Sequence, residues 1–216
     1  MAQVFRPGAN TFAKFSLFGA VVMLAALGWA ALEFNRSDYV TRAHVARQQP
    51  VPFSHRHHAG ELGIDCRYCH TTVERSAYAN IPPTQICMNC HSQMWADSPT
   101  LEPVRASFRT GRSLAWTKVY DLPDFVYFNH SIHVAKGIGC ATCHGRIDKM
   151  NLTYQAVSLQ MEWCLDCHRH PERNVRPRSE VFNMQWQPPD NDPDFGARLV
   201  ERYQIESRDD CSTCHR

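Results

Sequence analysis

FSHRHHAGELGIDCRYCH, residues 53–70, returns with the same skeleton as FNHSIHVAKGIGCATCH, residues 128–144. Each copy carries Phe-x-His-x-x-His, then Gly-Ile, then Cys-x-x-Cys-His. A further Cys-x-x-Cys-His follows each copy, its first cysteine 21 or 24 residues after the one before. The repeat predicts two related modules, about 50–95 and 125–172, built around whatever the cysteines and histidines hold.

All ten cysteines fall in this pattern: Cys66/Cys69-His70, Cys87/Cys90-His91, Cys140/Cys143-His144, Cys164/Cys167-His168 and Cys211/Cys214-His215. Cys-x-x-Cys-His is the attachment sequence of c-type haem. Two thiols at this spacing bond the two vinyl groups of one porphyrin, and the next residue sets an imidazole on the iron. Zinc pairs one Cys-x-x-Cys with another, which leaves one of five copies over and gives no reason for the trailing His. Disulfides have no use for that His either. The expectation is five covalent haem c groups, with His70, His91, His144, His168 and His215 as proximal ligands.

Seven histidines remain, at 44, 55, 57, 58, 130, 133 and 170. Residues three apart share one helical face yet can diverge towards two irons. This paired arrangement resembles the class III cytochromes, the c3 and c7 families. That resemblance implies His55 as the second ligand to the iron of His70, and His130 to that of His144. His58 and His133 then serve the haems on Cys87/Cys90 and Cys164/Cys167. A fifth sixth-ligand is still required. In the c7 pattern a residue shortly before the second Cys-x-x-Cys serves the last haem, and Met161 holds that place here. Met150 and His44 are the alternatives, and apolar core filling is the competing use of Met161. His57 and His170 read as surface residues.

A formal net charge of +2 leaves no broad basic field for nucleic acid. Of the basic residues 19 are Arg and four Lys. A GC-rich genome would produce that bias. So would the use of Arg for pairing with carboxylates in poorly solvated places, such as haem propionates. Phe15 to Leu32 gives 18 residues without a charge, about 27 Å of helix, enough for a bilayer core if Lys14 snorkels and Phe12 joins. The stretch is long for the apolar region of a signal peptide, so a single uncleaved helix over residues 12–34 is expected. Flanking positive charges are nearly balanced and do not orient it.

Stretches such as Ile81-Pro82-Pro83 and Gln187-Pro188-Pro189 read as loops. Helix signals stand out only near Glu102–Phe108 and Phe195–Tyr203. A chain this irregular relies on its thioether bonds and on five buried macrocycles for much of its core. The expected fold is therefore a multihaem cytochrome c, mostly irregular with short helices, two c7-like modules packed around haems and one N-terminal transmembrane helix. The expected divisions are an arm at 1–11 on the cytoplasmic side, the helix at 12–34, and a first di-haem module with its linker at 35–125. A second di-haem module at 126–175 and a C-terminal segment at 176–216 with the fifth haem follow.

So many haems on so short a chain must lie close together, which argues for electron transfer. No motif replaces the proximal His by Lys, so a substrate-reducing enzyme is not indicated. The run Trp116…Leu122-Pro-Asp-Phe-Val-Tyr-Phe-Asn-His130, with Cys-His144-Gly145 and Met161-Glu-Trp-Cys164, resembles the pentahaem subunit of bacterial alternative complex III. That resemblance implies a relay from a quinol-oxidising complex, through its iron–sulfur, molybdopterin-like subunit, to a cytochrome c, a copper protein or a terminal oxidase. It implies integral membrane partner subunits and a haem domain on the outer, periplasmic face of a bacterial inner membrane. The alternative is a quinol dehydrogenase of the NapC/NrfH kind. Against it, those proteins usually hold four haems with the first near the membrane, whereas here 32 residues lie between Leu32 and Asp65. A third reading is a shuttle tethered by its helix.

Overall fold

The computed structural model describes Arg6 and residues 8–215. The chain forms two compact units, one ending at Arg42 and one beginning at Ala43. In the first, α1 (Gly8–Arg36) is a 29-residue helix that buries none of its side chains. It is long and apolar enough to cross a membrane. It overruns the expected 12–34 at both ends. The arm expected at 1–11 is described only at Arg6 and from Gly8, where the helix has already begun. A short α2 (Asp38–Thr41) follows, closed by Arg42 in the left-handed conformation.

From Ala43 onward there is no strand among the described residues, only the isolated bridges Ala43–Gln155 and Ile138–Val175. No helix here exceeds nine residues. Four helices are the attachment motifs themselves or extensions of them: α3 (Cys66–Cys69), α4 (Thr84–His91), α7 (Cys140–His144) and α8 (Met161–Arg169). The fifth motif forms α10 (Cys211–Cys214). One helical turn brings residues i and i+3 to the same side, so each motif presents both thiols together. Where the motif helix is only four residues long, an aspartate caps it: Asp65 accepts from Arg67 N at 2.8 Å, and Asp210 from Thr213 N at 3.1 Å. Such caps satisfy amide donors that so short a helix cannot.

The two repeat copies differ by one residue between the second His and the motif, and the backbone absorbs it. The second copy forms an ordinary helix, α6 (His130–Ala135), whereas the first winds Arg56–Glu61 into a π-turn. A single insertion into a helix has this outcome, with i→i+5 bonds replacing i→i+4. Both copies leave their helix through the Gly of Gly-Ile, at φ +67 for Gly63 and +79 for Gly137, where a Cβ would be strained.

The two amphipathic helices expected from sequence are α5 (Glu102–Thr110) and α9 (Phe195–Arg202). Each seeds a small apolar cluster: Val51, Leu101 and Val104 around α5, and Val175, Leu199 and Tyr203 around α9. These two clusters are thin cover for so long a chain. Prosthetic groups are the natural supplement to such a core.

Candidate haem-binding sites

The ten thiols are not equally enclosed. Cys90 and Cys211 are exposed, whereas Cys66, Cys69, Cys87, Cys140, Cys143, Cys164, Cys167 and Cys214 are partly buried. The division within the second motif has a packing cause. Cys87 and Met88, midway along α4, lie against the cluster of Val51, Leu101 and Val104. Cys90 comes one turn later, beyond that cluster, and the chain continues from it to exposed Met94 and Trp95. Cys87 and Cys90 stay three residues apart on one helix, so the attachment spacing is intact.

The motif histidines stand opposite other histidines. His55 and His70 have ring centroids 6.4 Å apart and planes within 9°, and His130 and His144 repeat this at 6.4 Å and 16°. His58 faces His91 at 6.2 Å and 65°, and His133 faces His168 at 6.2 Å and 57°. An ion bonded to the Nε2 atoms of two opposed imidazoles, at about 2 Å each, sets the centroids roughly 6.3 Å apart. Four pairs therefore hold the spacing of two axial ligands on one iron. The first His of each copy gives a near-parallel pair and the second a twisted one.

The phenylalanine of Phe-x-His-x-x-His explains this repetition. Phe53 meets His55 edge-on at 4.9 Å and stacks on His58 at 4.4 Å, and Phe128 meets His130 at 4.8 Å and stacks on His133 at 4.4 Å. One phenyl ring thus orients two imidazoles that point to different sites.

Of the nine candidate ligand histidines, eight hold Nδ1 in a hydrogen bond, which turns Nε2 towards the site. Backbone carbonyls accept from His58 (Ser54, 2.8 Å), His133 (Asn129, 2.7 Å), His70 (Asn80, 2.6 Å) and His91 (Met94, 3.0 Å). Others accept from His130 (Ala77, 2.8 Å), His168 (Arg208, 2.7 Å) and His215 (Phe125, 3.0 Å). His55 bonds the hydroxyl of Thr153 at 2.9 Å. Such partners fix the tautomer and strengthen the ligand. His144 differs, since its Nδ1 is buried without a hydrogen bond. The Tyr120 ring lies 4.3 Å from it, while the Tyr120 hydroxyl donates to Cys143 O and accepts from Ala156 N. Burial, and then His130, His70 and His55, push His144 down to about 4, so this imidazole is neutral and its lone pair free.

Arg176 is buried with its Nε unpartnered, and burial lowers its pKa. Its guanidinium lies 4.8 Å over Trp186 and lines, with Arg146 and Arg173, a cavity of about 330 Å³ beside Ala141 and Thr142 of the third motif. A buried Arg with one unpartnered donor next to an attachment motif fits a carboxylate-bearing group such as haem. No three His, Cys, Asp or Glu side chains converge among the described residues as a bare zinc site requires.

His215 has no imidazole at such a spacing among the described residues; its ring lies 5.7 Å from Phe125. Met161 opens α8, one turn before Cys164, and is 65% exposed. Met150 is buried to 5%. His44 is exposed, with φ +58 and its ring beside Tyr154. His57 is half-buried, bonding Glu61 at 3.1 Å and stacking on Trp95 at 6.2 Å. Tyr120, Thr153 and the carbonyl partners had no mark in the sequence, because most act through backbone atoms.

Comparison with known proteins agrees with this geometry. Residues 126–216 match the family described as cytochrome c7 and related cytochrome c. Residues 126–216 are thus similar to c7-like multihaem cytochrome domains. The menaquinone reductase multiheme cytochrome c subunit of Nitratidesulfovibrio vulgaris (strain Hildenborough) is 32% identical over 127 residues, 58% of this chain. The alignment spans little more than half of that protein, 56% of its length. The family match implies covalently bound haem c, and the N-terminal helix is long and apolar enough to cross a membrane.

Proposed function

We propose that the cytochrome is a pentahaem electron-transfer subunit, relaying electrons between a quinone-reactive membrane complex and an external carrier. The observation that carries this reading is the set of four imidazole pairs at iron-bridging separation, beside five attachment motifs. Haem c supplies a one-electron iron couple whose potential follows its axial ligands. The chain's part is to bind and orient. His70, His91, His144, His168 and His215 serve as proximal ligands, opposed by His55, His58, His130 and His133 in the pairs already described. Arg173 and Arg176 receive carboxylates near the third motif. Pyridine haemochrome assay with protein quantitation should return five covalent haems per chain, and three or fewer in matured protein would overturn the count.

The ring angles add a spectroscopic test. Parallel imidazoles donate into one iron d orbital and split the pair strongly, whereas twisted ones donate into both. The oxidised protein should therefore show two classes of low-spin ferric signal by electron paramagnetic resonance, two haems in each. A single class across those four haems would contradict the pairs His58–His91 and His133–His168.

Met161 is the proposed sixth ligand opposite His215. Arg169, at the far end of the helix that Met161 opens, pairs with Asp209 at 3.1 Å, so α8 lies near the fifth motif. A thioether stabilises ferrous iron relative to imidazole, which gives one high-potential haem. Met161→His should lower one midpoint and abolish thioether-to-iron absorption at the red end of the oxidised spectrum. If both stay unchanged, Met161 is packing and Met150 or His44 takes the role.

The partners follow from resemblance: integral membrane quinol-oxidising subunits and an iron–sulfur, molybdopterin-like subunit on one side, as in alternative complex III, and a cytochrome c or oxidase on the other. The haem domain is placed on the periplasmic side, where haem c is attached. The relative's role in menaquinone reduction supports a second reading, with electrons running towards quinone. Purification of the native complex, with its subunits identified and its quinol oxidation and quinone reduction compared, separates the two. A chain that purifies alone and is rapidly reduced by menaquinol would instead favour the NapC/NrfH kind.

A further inference from the structure

The spatial order of the sites is written in the hydrogen bonds between modules. We propose that the five attachment sites run second, first, third, fourth, fifth in motif order, with the first and third in contact at the centre. This rests on the ligand pairs proposed above.

The central contact is a reciprocal clasp. The loop after the third motif supplies Thr153 to His55, and the loop after the first motif supplies the Ala77 carbonyl to His130. Each module thus holds the other's first axial histidine. The backbones interlock as well: Arg56 N donates to Met150 O at 3.0 Å, and a Cβ on Gly60 would lie 2.2 Å from Asp148 O.

The second site hangs off the outer side of the first. His55 and His58 share one turn, and Asn89 Nδ2 donates to Tyr68 Oη at 3.0 Å between the two motif helices. The exposure of Cys90 suits a site at the end of the row. The fourth site hangs off the third in the same way through α6, which carries both His130 and His133. Beyond it, Arg208 O accepts from His168 and Asp209 pairs with Arg169 at 3.1 Å, both from the segment that leads into the fifth motif. Chain order and spatial order therefore differ by one exchange, and the fifth site breaks an otherwise two-fold pattern at one end.

The test is a structure of the full-length holo protein, with each iron located by anomalous scattering and assigned by its thioether bonds. The expected result places the iron on Cys66/Cys69 next to that on Cys140/Cys143. An iron on Cys87/Cys90 lying between them, or one on Cys211/Cys214 inserted before the fourth, overturns the order. Failure of the ligand pairs would be read separately in the same map, as different residues on the irons with the order intact. In solution, Thr153→Val should raise the midpoint of the haem on Cys66/Cys69, because its axial imidazole loses a hydrogen-bond acceptor. A shift confined to the haem on Cys140/Cys143 would refute the clasp.

Discussion

Replacing both thiols of the third motif, Cys140→Ala with Cys143→Ala, is expected to remove the mature cytochrome from membranes altogether. The same double change at Cys211 and Cys214 should leave a stable product lacking one haem. The difference lies in what surrounds each motif. Around the third, Cys140 N donates to Val181 O, Tyr120 closes over His144, and Met150 packs beside Gly145. A single Leu→Ala cavity costs about 2.7–5 kcal/mol, and a porphyrin site is several times larger. The loss exceeds the roughly 5–15 kcal/mol that a domain has in all. The fifth motif ends the described chain, Cys211 is exposed, and its ties run through the Phe125 carbonyl and Tyr127 N. Haem-stained gels and immunoblots of membranes would decide it. Normal accumulation of the Cys140/Cys143 variant would mean that the third site is not the keystone.

Gly60→Ala should be among the most damaging single-methyl changes, together with Gly196→Ala, whose Cβ would lie against the Glu172 carbonyl. A Cβ on Gly60 would sit 2.2 Å from the Asp148 carbonyl oxygen, and a backbone atom there cannot swing aside as a side chain can. Overpacking of this kind costs about 1–3 kcal/mol. For a domain of this size that lowers Tm by roughly 2–12 °C. Gly19→Ala is the control, since nothing lies within 4 Å of its Cβ and alanine favours a helix. Equal melting of Gly60→Ala and Gly19→Ala would show that the Arg56–Glu61 turn has room to yield.

Much of this architecture could be read from residue spacing, because attachment chemistry is local. Two thiols three residues apart with an adjacent imidazole need only one helical turn, and all five motifs form one. The amphipathic pattern placed α5 and α9 for the same reason. The starts of α4 and α8, ahead of their cysteines, were not legible. Pro83 before the one and Gln160 before the other are extended residues that mark a boundary without announcing a helix. Nor did spacing separate exposed Cys90 from half-buried Cys87, since burial depends on which distant residues, here Val51 and Val104, reach the helix. The pairing of His58 with His91 and of His133 with His168 came from a resemblance, and the ring separations of 6.2 Å are consistent with it. The carbonyls behind the histidines were beyond sequence reading, since every residue owns one and only folding decides which is aimed. Met161 stays a matter of position in the chain. The π-turn at Arg56–Glu61 shows why spacing can mislead: one inserted residue shifts the motif by one without displacing the histidine pair.

The clasp also sets a timetable for the chain's birth. His130 is separated from its partner Ala77 by 53 residues, and His55 from Thr153 by 98. Emerging from its N-terminal end, the polypeptide displays its first attachment sequence long before Thr153 exists to lock the histidine opposite. Closing such distant contacts is slow. In the interval His55 has no latch, and the nascent chain must be shielded until residue 153 has emerged. A truncation between His130 and Thr153 leaves half a clasp, and therefore no finished first module.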